Sequence, residues 1–391
     1  MKKIALASLI LLGAFSFGAH AQGYKFTTVV SQKATPVKDQ ASTGTCWCFA
    51  TTSFMESELL RMGKGEYDLS EMFIVRQKYI NQINDNYLRR GKGNVGQGSL
   101  SHTWINAFRQ VGIVPEEVYH GIAYDSKSHN HSEMARVIGS VAKLSVDMQK
   151  KSAQYDKIVE SVLDSYLGEA PESFIYNGKT YTPQSFAASL GLNMDDYIEI
   201  TSFSHKPYYE KMIVEVEDNW EHESQYNLPL DEMMAVLDHA LMHGYTVDWD
   251  GDVSEKGFGF RKGVAINPLV TKLDDYSTTD RARFENLSVA QRLEEVYKFE
   301  NPYPEIEVTQ EVRQQGYESF VTTDDHLMHI TGIAKDQNGT KYYITKNSWG
   351  ESNTDGGYLN MSESFVRAKT IYFMIHKDAL PKDIAKKLGI K

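Results

Sequence analysis

The chain has 391 residues, with 52 acidic against 41 basic side chains, a formal net charge of −11 and two cysteines. An acidic balance of this size argues against nucleic-acid binding, which rests on basic patches, and two cysteines cannot build a disulfide framework. The length allows a core large enough to fold without such staples, as one elaborated domain or two lobes.

Residues 1–21 read as a secretory signal: Lys2 and Lys3, an apolar run over 4–17, then Ala19 and Ala21 as a small-residue cleavage site. The run is too short to span a bilayer and no other is long enough. The mature protein is therefore expected to be exported, to a periplasm, without a stable membrane anchor. Losing the two lysines takes the charge from −11 to about −13.

Residues 22–45 read as extended and loop-like. Helical periodicity follows over 46–62, 70–88 and 100–110, with the glycine-rich loop 91–99 between the last two. That loop lacks the Gly-Lys-Thr/Ser ending of a phosphate loop, so no nucleotide is expected there. Residues 118–227 read as polar and mostly helical, 228–243 as a helix and 244–249 as a strand. Residues 270–312 are charged and mixed. Strands are expected around 324–332, 342–350, 357–361 and 370–375, with short helices near 362–368 and 381–388. Helices early and strands late suit an α+β fold.

Cys46 opens the first predicted helix behind a glycine-containing loop. The helix dipole and the unpaired first-turn amides favour thiolate there, as a nucleophile requires. A cysteine nucleophile needs a base, and a histidine base needs a third group to hold its ring. His326 and Asn347 can fill those roles, and the Gln40 amide can serve a developing oxyanion. Cys46 and Cys48, at i and i+2, project to different sides, so a disulfide between them is poor geometry. No further ligand stands close by for a metal.

Gln-x5-Cys-Trp from Gln40, then Asp325 and His326, then Asn347, Ser348, Trp349 and Gly350, in that order, resembles the pattern of papain-like cysteine peptidases. The blocks around Leu167 to Phe174, Tyr181 to Phe186 and Val247 to Val253 resemble the bleomycin hydrolase and aminopeptidase C branch. The resemblance implies one peptidase domain over 22–391 with a papain-like two-lobe fold: a helical lobe at about 36–120 and a β-barrel-like lobe at about 244–376. A large, mostly helical insertion at about 121–243 and a short C-terminal helix at about 378–388 complete it. It implies catalysis by Cys46, His326, Asn347 and Gln40 on peptide or protein substrates, with no metal or organic cofactor. Gly98, Ser99, Asp325 and Trp349 are implied on the substrate side, with the Trp349 ring also shielding the His326–Asn347 bond. Relatives often form hexameric cages, so a homo-oligomer is implied too.

Three departures stand out. Cys48 occupies a position usually held by a small residue, and Ser99 follows Gly98 where many relatives have a second glycine. Relatives also lay a C-terminal tail in the cleft and so restrict cleavage to the amino end, whereas this sequence runs only to Lys391. Aminopeptidase activity is the leading expectation, dipeptidyl- or endopeptidase activity the alternative, and a non-catalytic peptide-binding scaffold the alternative of another class.

Asp248, Asp250 and Asp252 lack the spacing of a calcium loop and read as a solvated strand end or turn. His129 and His131 read as plain surface in a polar loop. His329 stands three residues from His326, on the opposite strand face, and reads as structural.

Overall fold

The computed structural model describes residues 23–390; the signal-peptide reading of 1–21 lies outside them. Strand β1 (Thr27–Ser31) leads to helix α1 (Cys46–Arg61), which is buried almost all round by Trp47, Phe49, Phe54, Met55 and Leu59. A helix in that position must satisfy its polar side chains internally. Thr51 donates to Asp248 at 2.7 Å, Thr52 accepts from Trp104 Nε1 at 3.0 Å, and Glu56 takes the Leu69 amide at 2.9 Å.

Helix α2 (Glu71–Leu88) begins at Ser70, whose hydroxyl accepts from the Phe73 amide. Helix α3 (Ser101–Val111) stops at Gly112, where φ is +78° and a Cβ would run into the backbone of Pro183. Helices α4 (Ser132–Asp147) and α5 (Ala153–Leu167) bury single stripes, Met134–Ile138–Ala142 and Tyr155–Val159–Leu163–Leu167. Those stripes pack the pair on α2. The hairpin β2 (Phe174–Tyr176) and β3 (Lys179–Tyr181) leads into α6 (Pro183–Leu190), which starts with a Thr182/Ser185 capping box.

Strands β4 (Tyr197–Thr201), β5 (Lys211–Ile213) and β6 (Ser224–Asn227) correct the expectation of a mostly helical insertion over this stretch. They are short and polar, and β4 finds its antiparallel partner in the last strand of the chain, a pairing local pattern does not announce. Helix α7 (Leu230–Met242) leads to β7 (Val247–Gly251), then the short β8 (Phe258–Gly259) and β9 (Val264–Ala265). Helices α8 (Thr278–Phe284), α9 (Val289–Val296) and α10 (Gln310–Glu318) precede β10 (His326–Lys335), β11 (Lys341–Lys346) and β12 (Tyr358–Ser362). Helix α11 (Glu363–Lys369), β13 (Thr370–His376) and α12 (Lys382–Leu388) close the order.

The main sheet runs β5-β6-β4-β13-β7-β10-β11-β12-β9-β8, with β1 added on β10. Its centre, β13-β7-β10, is buried, and α1 packs across β10 and β7. The helix start carrying Cys46 and the strand start carrying His326 are thereby brought to one end of the sheet. Residues 382–390 pack on α7 through Ile384, Leu388 and Ile390, with Lys387 bonded to Glu232. Among the described residues no helix is long and apolar enough to cross a membrane.

Candidate active site

Cys46 is the first residue of α1, and its N-cap, Thr45, makes no side-chain cap bond. The first-turn amides therefore remain open beside the sulfur. The loop ahead of it is fixed from the glycine-rich stretch: Gly44 N–H donates to Gln97 Oε1 at 2.8 Å and Trp47 Nε1 to Gln97 O at 3.0 Å. Gln40 is buried, its Oε1 taken by the Ser348 hydroxyl at 2.6 Å and one Nε2 proton given to Thr43 O at 2.7 Å. An amide nitrogen carries two protons, so one stays available.

His326 opens β10 and is 4% exposed. Its Nε2 meets Asn347 Oδ1 at 2.7 Å, and the same oxygen accepts the Ser348 N–H at 2.7 Å. Two donors on one atom fix which end of the amide is oxygen, so Nε2 carries the imidazole proton and Nδ1 keeps its lone pair. The Trp349 ring lies 4.7 Å from the His326 ring, centroid to centroid, tilted by 34°, and Phe258 and Phe260 set edge-on against it. Next in chain, the Leu327 amide lies close enough to the Cys46 sulfur to favour its thiolate. Cys46 and His326 thus stand on facing element ends, and Asn347 holds the far side of the ring.

The electrostatics differ from the sequence expectation of a thiol lowered by the helix start alone. Burial pushes the Cys46 thiol up to about 12, the Leu327 amide opposes this, and the charges of Asp218, Asp250 and Asp324 add to it. Burial pulls the His326 imidazole down to about 4, with the Asn347 bond opposing. Each group alone thus resists charge. A thiolate–imidazolium pair is net neutral, held together by its own attraction and by the open amides of α1, so it escapes most of that penalty.

The other residues picked out in sequence lie as follows. Gly98 lies directly against the Asp218 side chain. Ser99 is 1% exposed and its hydroxyl donates to Thr103 at 2.7 Å. The Asp325 oxygens accept from Val253 N–H, Ser254 N–H and the Thr323 hydroxyl and hold the 252–254 loop. Trp349 packs on His326 and on two phenylalanines. Cys48 is fully buried and donates to Glu71 O at 3.2 Å, while both cysteines are free. His329 is buried with Nδ1 at 2.9 Å from the Ser53 hydroxyl.

Two surface readings are overturned. Asp248, Asp250 and Asp252 are fully buried: β7 lies between β10 and β13 with α1 packed on it, and Asp252, just past its end, is closed in by Ser254, Thr323 and Lys369. His131 is also fully buried, with neither ring nitrogen bonded. Among the described residues no group of three or more His, Cys, Asp or Glu could hold a metal ion. Sequence reasoning gave no role to Asp218, Asp250 or Asp324. The i, i+2 spacing of acids on β7 was the available signal for a shared face.

The sequence profile of the papain family cysteine proteases matches residues 25–189, which contain Gln40 and Cys46. That of the peptidase C1-like family matches 293–390, which contain His326 and Asn347. The chain belongs to the papain-like cysteine peptidases, in the aminopeptidase C branch. The peptidase is 24% identical to aminopeptidase C of Lactobacillus helveticus, over 89% of this chain and 81% of that one. It is 22% identical to aminopeptidase C of Streptococcus thermophilus, over 88% and 81%. The crystal structure of PepW from Lactobacillus rhamnosis HN001 covers 93% of the peptidase and superposes with a TM-score of 0.67 at 18% identity. The papain-like α+β fold is thereby shared.

Proposed function

We propose that the peptidase is an exported aminopeptidase working through Cys46, His326 and Asn347. The observation that carries the reading is the His326 Nε2–Asn347 Oδ1 bond of 2.7 Å, under Trp349 and facing the open N-terminus of α1. In the acylation step Cys46 sulfur attacks the scissile carbonyl and His326 passes the thiol proton to the leaving amine. The oxyanion takes the Cys46 amide and the free Nε2 proton of Gln40. Water, deprotonated by His326, then releases the acyl group. Asn347 keeps the imidazole in the tautomer that presents Nδ1 to the sulfur.

Exopeptidase specificity is supported by the relatives, which carry the name aminopeptidase C, and export by the pattern of residues 1–21. The test pairs one peptide with a free amine and the same peptide acetylated. Release of the first residue from the free form alone, abolished in Cys46→Ala, is the expected result. Equal internal cleavage of both would replace aminopeptidase by endopeptidase. Full activity in Cys46→Ala would remove the nucleophile assignment. Gln40→Ala is expected to lose roughly 10- to 1000-fold in turnover, the range for one oxyanion donor.

A further inference from the structure

Gly98 lies directly against the side chain of Asp218: a Cβ at Gly98 would overlap the Asp218 carboxylate. Asp218 belongs to the segment 214–221, which is fastened to the 94–103 stretch at several points. Asn94 Nδ2 donates to Glu217 O at 3.1 Å and to Asp218 Oδ1 at 3.4 Å, and Trp220 Nε1 donates to Ser99 Oγ at 2.8 Å. Thr103 donates to Glu221. The Asn219 side chain closes the segment on itself, giving its amide protons to Val214 O at 3.0 Å and Glu223 O at 2.9 Å. The carboxylate is therefore held over Gly98 by a braced loop and is not a swinging surface group.

Asp218 does not stand alone. With Asp324, Glu217, Tyr317 and Phe320 it lines a cavity of about 750 Å3. Behind them Asp250 is fully buried, and no protein donor reaches either of its carboxyl oxygens. Its close neighbour is the Asp324 carboxyl, whose charge adds to burial in holding Asp250 well above the usual carboxylate range. The charges of all three aspartates reach the Cys46 sulfur. Lys78, the cation whose field reaches Asp218, spends its ammonium on Gly96 O. Acids grouped beside a nucleophile, one of them an orphan in the interior, leave a site one cation short.

A peptide running past the nucleophile on its amino side would lay its second residue along Gly98, where the Asp218 side chain sits. A peptide that ends after one residue brings an ammonium to that point instead, and an ammonium–carboxylate bond there is charge-assisted and partly desolvated. We propose that Asp218, backed by Asp324, binds the α-ammonium of the substrate's first residue, and that by filling the cleft over Gly98 it leaves room for one residue ahead of the scissile bond. This deepens the aminopeptidase reading and rests on it. The block and the charge both come from the insertion.

The test separates binding from turnover. Mature Cys46→Ala protein is titrated by calorimetry at neutral pH with a tripeptide bearing a free amine and with its acetylated form. The expected result is a preference for the free amine of about 10- to 100-fold, the scale of a hydrogen bond to a charged group. Asp218→Asn, isosteric, removes that preference and keeps the melting temperature. Glu210→Gln, which deletes an exposed charge of the same insertion outside the cavity lining, retains it. Equal or unmeasurable binding of the two peptides, a preference surviving Asp218→Asn, or one lost equally in Glu210→Gln overturns the ammonium site. Hydrolysis by the protein with Cys46 intact is scored separately. Binding with the stated preference but no cleavage keeps the site and removes the peptidase activity, whereas equal cleavage of both peptides removes the site and keeps the peptidase.

Discussion

Lys346 donates to the Ser53 hydroxyl at 2.7 Å, tying β11 to the middle of α1 one residue before Asn347. The same ammonium reaches Thr35 Oγ1 at 3.2 Å, and Ser53 in turn meets His329 Nδ1 at 2.9 Å. The helix that carries Cys46 and the strand that delivers Asn347 are thus joined by a buried polar chain. The pairing of His326 with Asn347 depends on where β11 ends, so this chain sets the site's geometry without touching a reacting atom.

Lys346→Met removes that link, leaving Ser53 with His329 alone and Thr35 with Glu56 alone. A loss of about 1.5–3 kcal/mol in stability is expected, the worth of hydrogen bonds made by a charged group. Turnover should fall while KM is held, because orientation of the imidazole is lost and substrate contacts are not. Thermal unfolding and steady-state kinetics read both. An unchanged kcat would show that Asn347 is positioned independently of Lys346.

Alkylation tests the pairing of Cys46 with His326. With the imidazole present, a net-neutral ion pair supplies thiolate at neutral pH; without it, burial and three aspartates leave a thiol raised to about 12. The thiolate fraction at pH 7 must then fall steeply. In His326→Ala the iodoacetamide rate at pH 7 should drop by orders of magnitude and recover only under strongly alkaline conditions. Matching pH profiles for the two proteins would show that the residues do not act as a pair.

Acid stability should bear the mark of His131. Burial, then the charges of His129 and Lys78, pull its imidazole from 6.5 down to about 3. The unfolded chain takes up the proton first, so stability that is complete above the ordinary value is lost as pH falls from about 6.5 towards 3. The slope is at most about 1.4 kcal/mol per pH unit. Denaturant melts of His131→Leu between pH 7 and 4 should show a shallower loss than the parent. Parallel slopes would mean that another group carries the acid sensitivity.

The residues legible in sequence are those whose chemistry is announced locally. Gln40 and Cys46 share one loop and helix start, and His326 and Asn347 sit at the ends of adjacent strands, so short motifs carry them. What was missed depends on distant partners. The acids of β7 look solvent-facing because they alternate with Val247, Trp249 and Gly251, yet a central strand has no solvent face and α1 covers the acidic one. The strands of 197–227 are polar and short, and β4 pairs with β13 across some 170 residues. Ser99 and Asp325 follow motif glycine and precede motif histidine, but their side chains turn into Thr103 and the 252–254 loop. Asp218 lies in the insertion, where nothing in sequence marks which residue returns to the cleft.

Cys48 should prove structural. Its sulfur is fully buried, hydrogen-bonded to Glu71 O, and pushed well above the usual thiol range chiefly by burial. Cys48→Ala should keep most of the activity and lose roughly 1–2 kcal/mol of stability through the small void left behind. Loss of activity with an unchanged melting temperature would place Cys48 in the chemistry.

Gly98 and Gly96 form a matched pair for testing how tightly the 214–221 segment closes the cleft. A methyl at Gly98 runs into the Asp218 carboxylate, whereas at Gly96 it meets only Asn94 Oδ1, at an ordinary 3.5 Å. Neither position has positive φ, so backbone strain does not separate them. Gly98→Ala must push Asp218 outward, at the cost of about 1–3 kcal/mol typical of overpacking. Cleavage of free-amine peptides should fall about tenfold or more, each factor of ten being about 1.4 kcal/mol, while acetylated peptides gain relative to them. Gly96→Ala should stay within about twofold of the parent on both, as a side chain in ordinary contact does. If the two variants behave alike, the close approach of Gly98 to Asp218 does not govern which peptides enter.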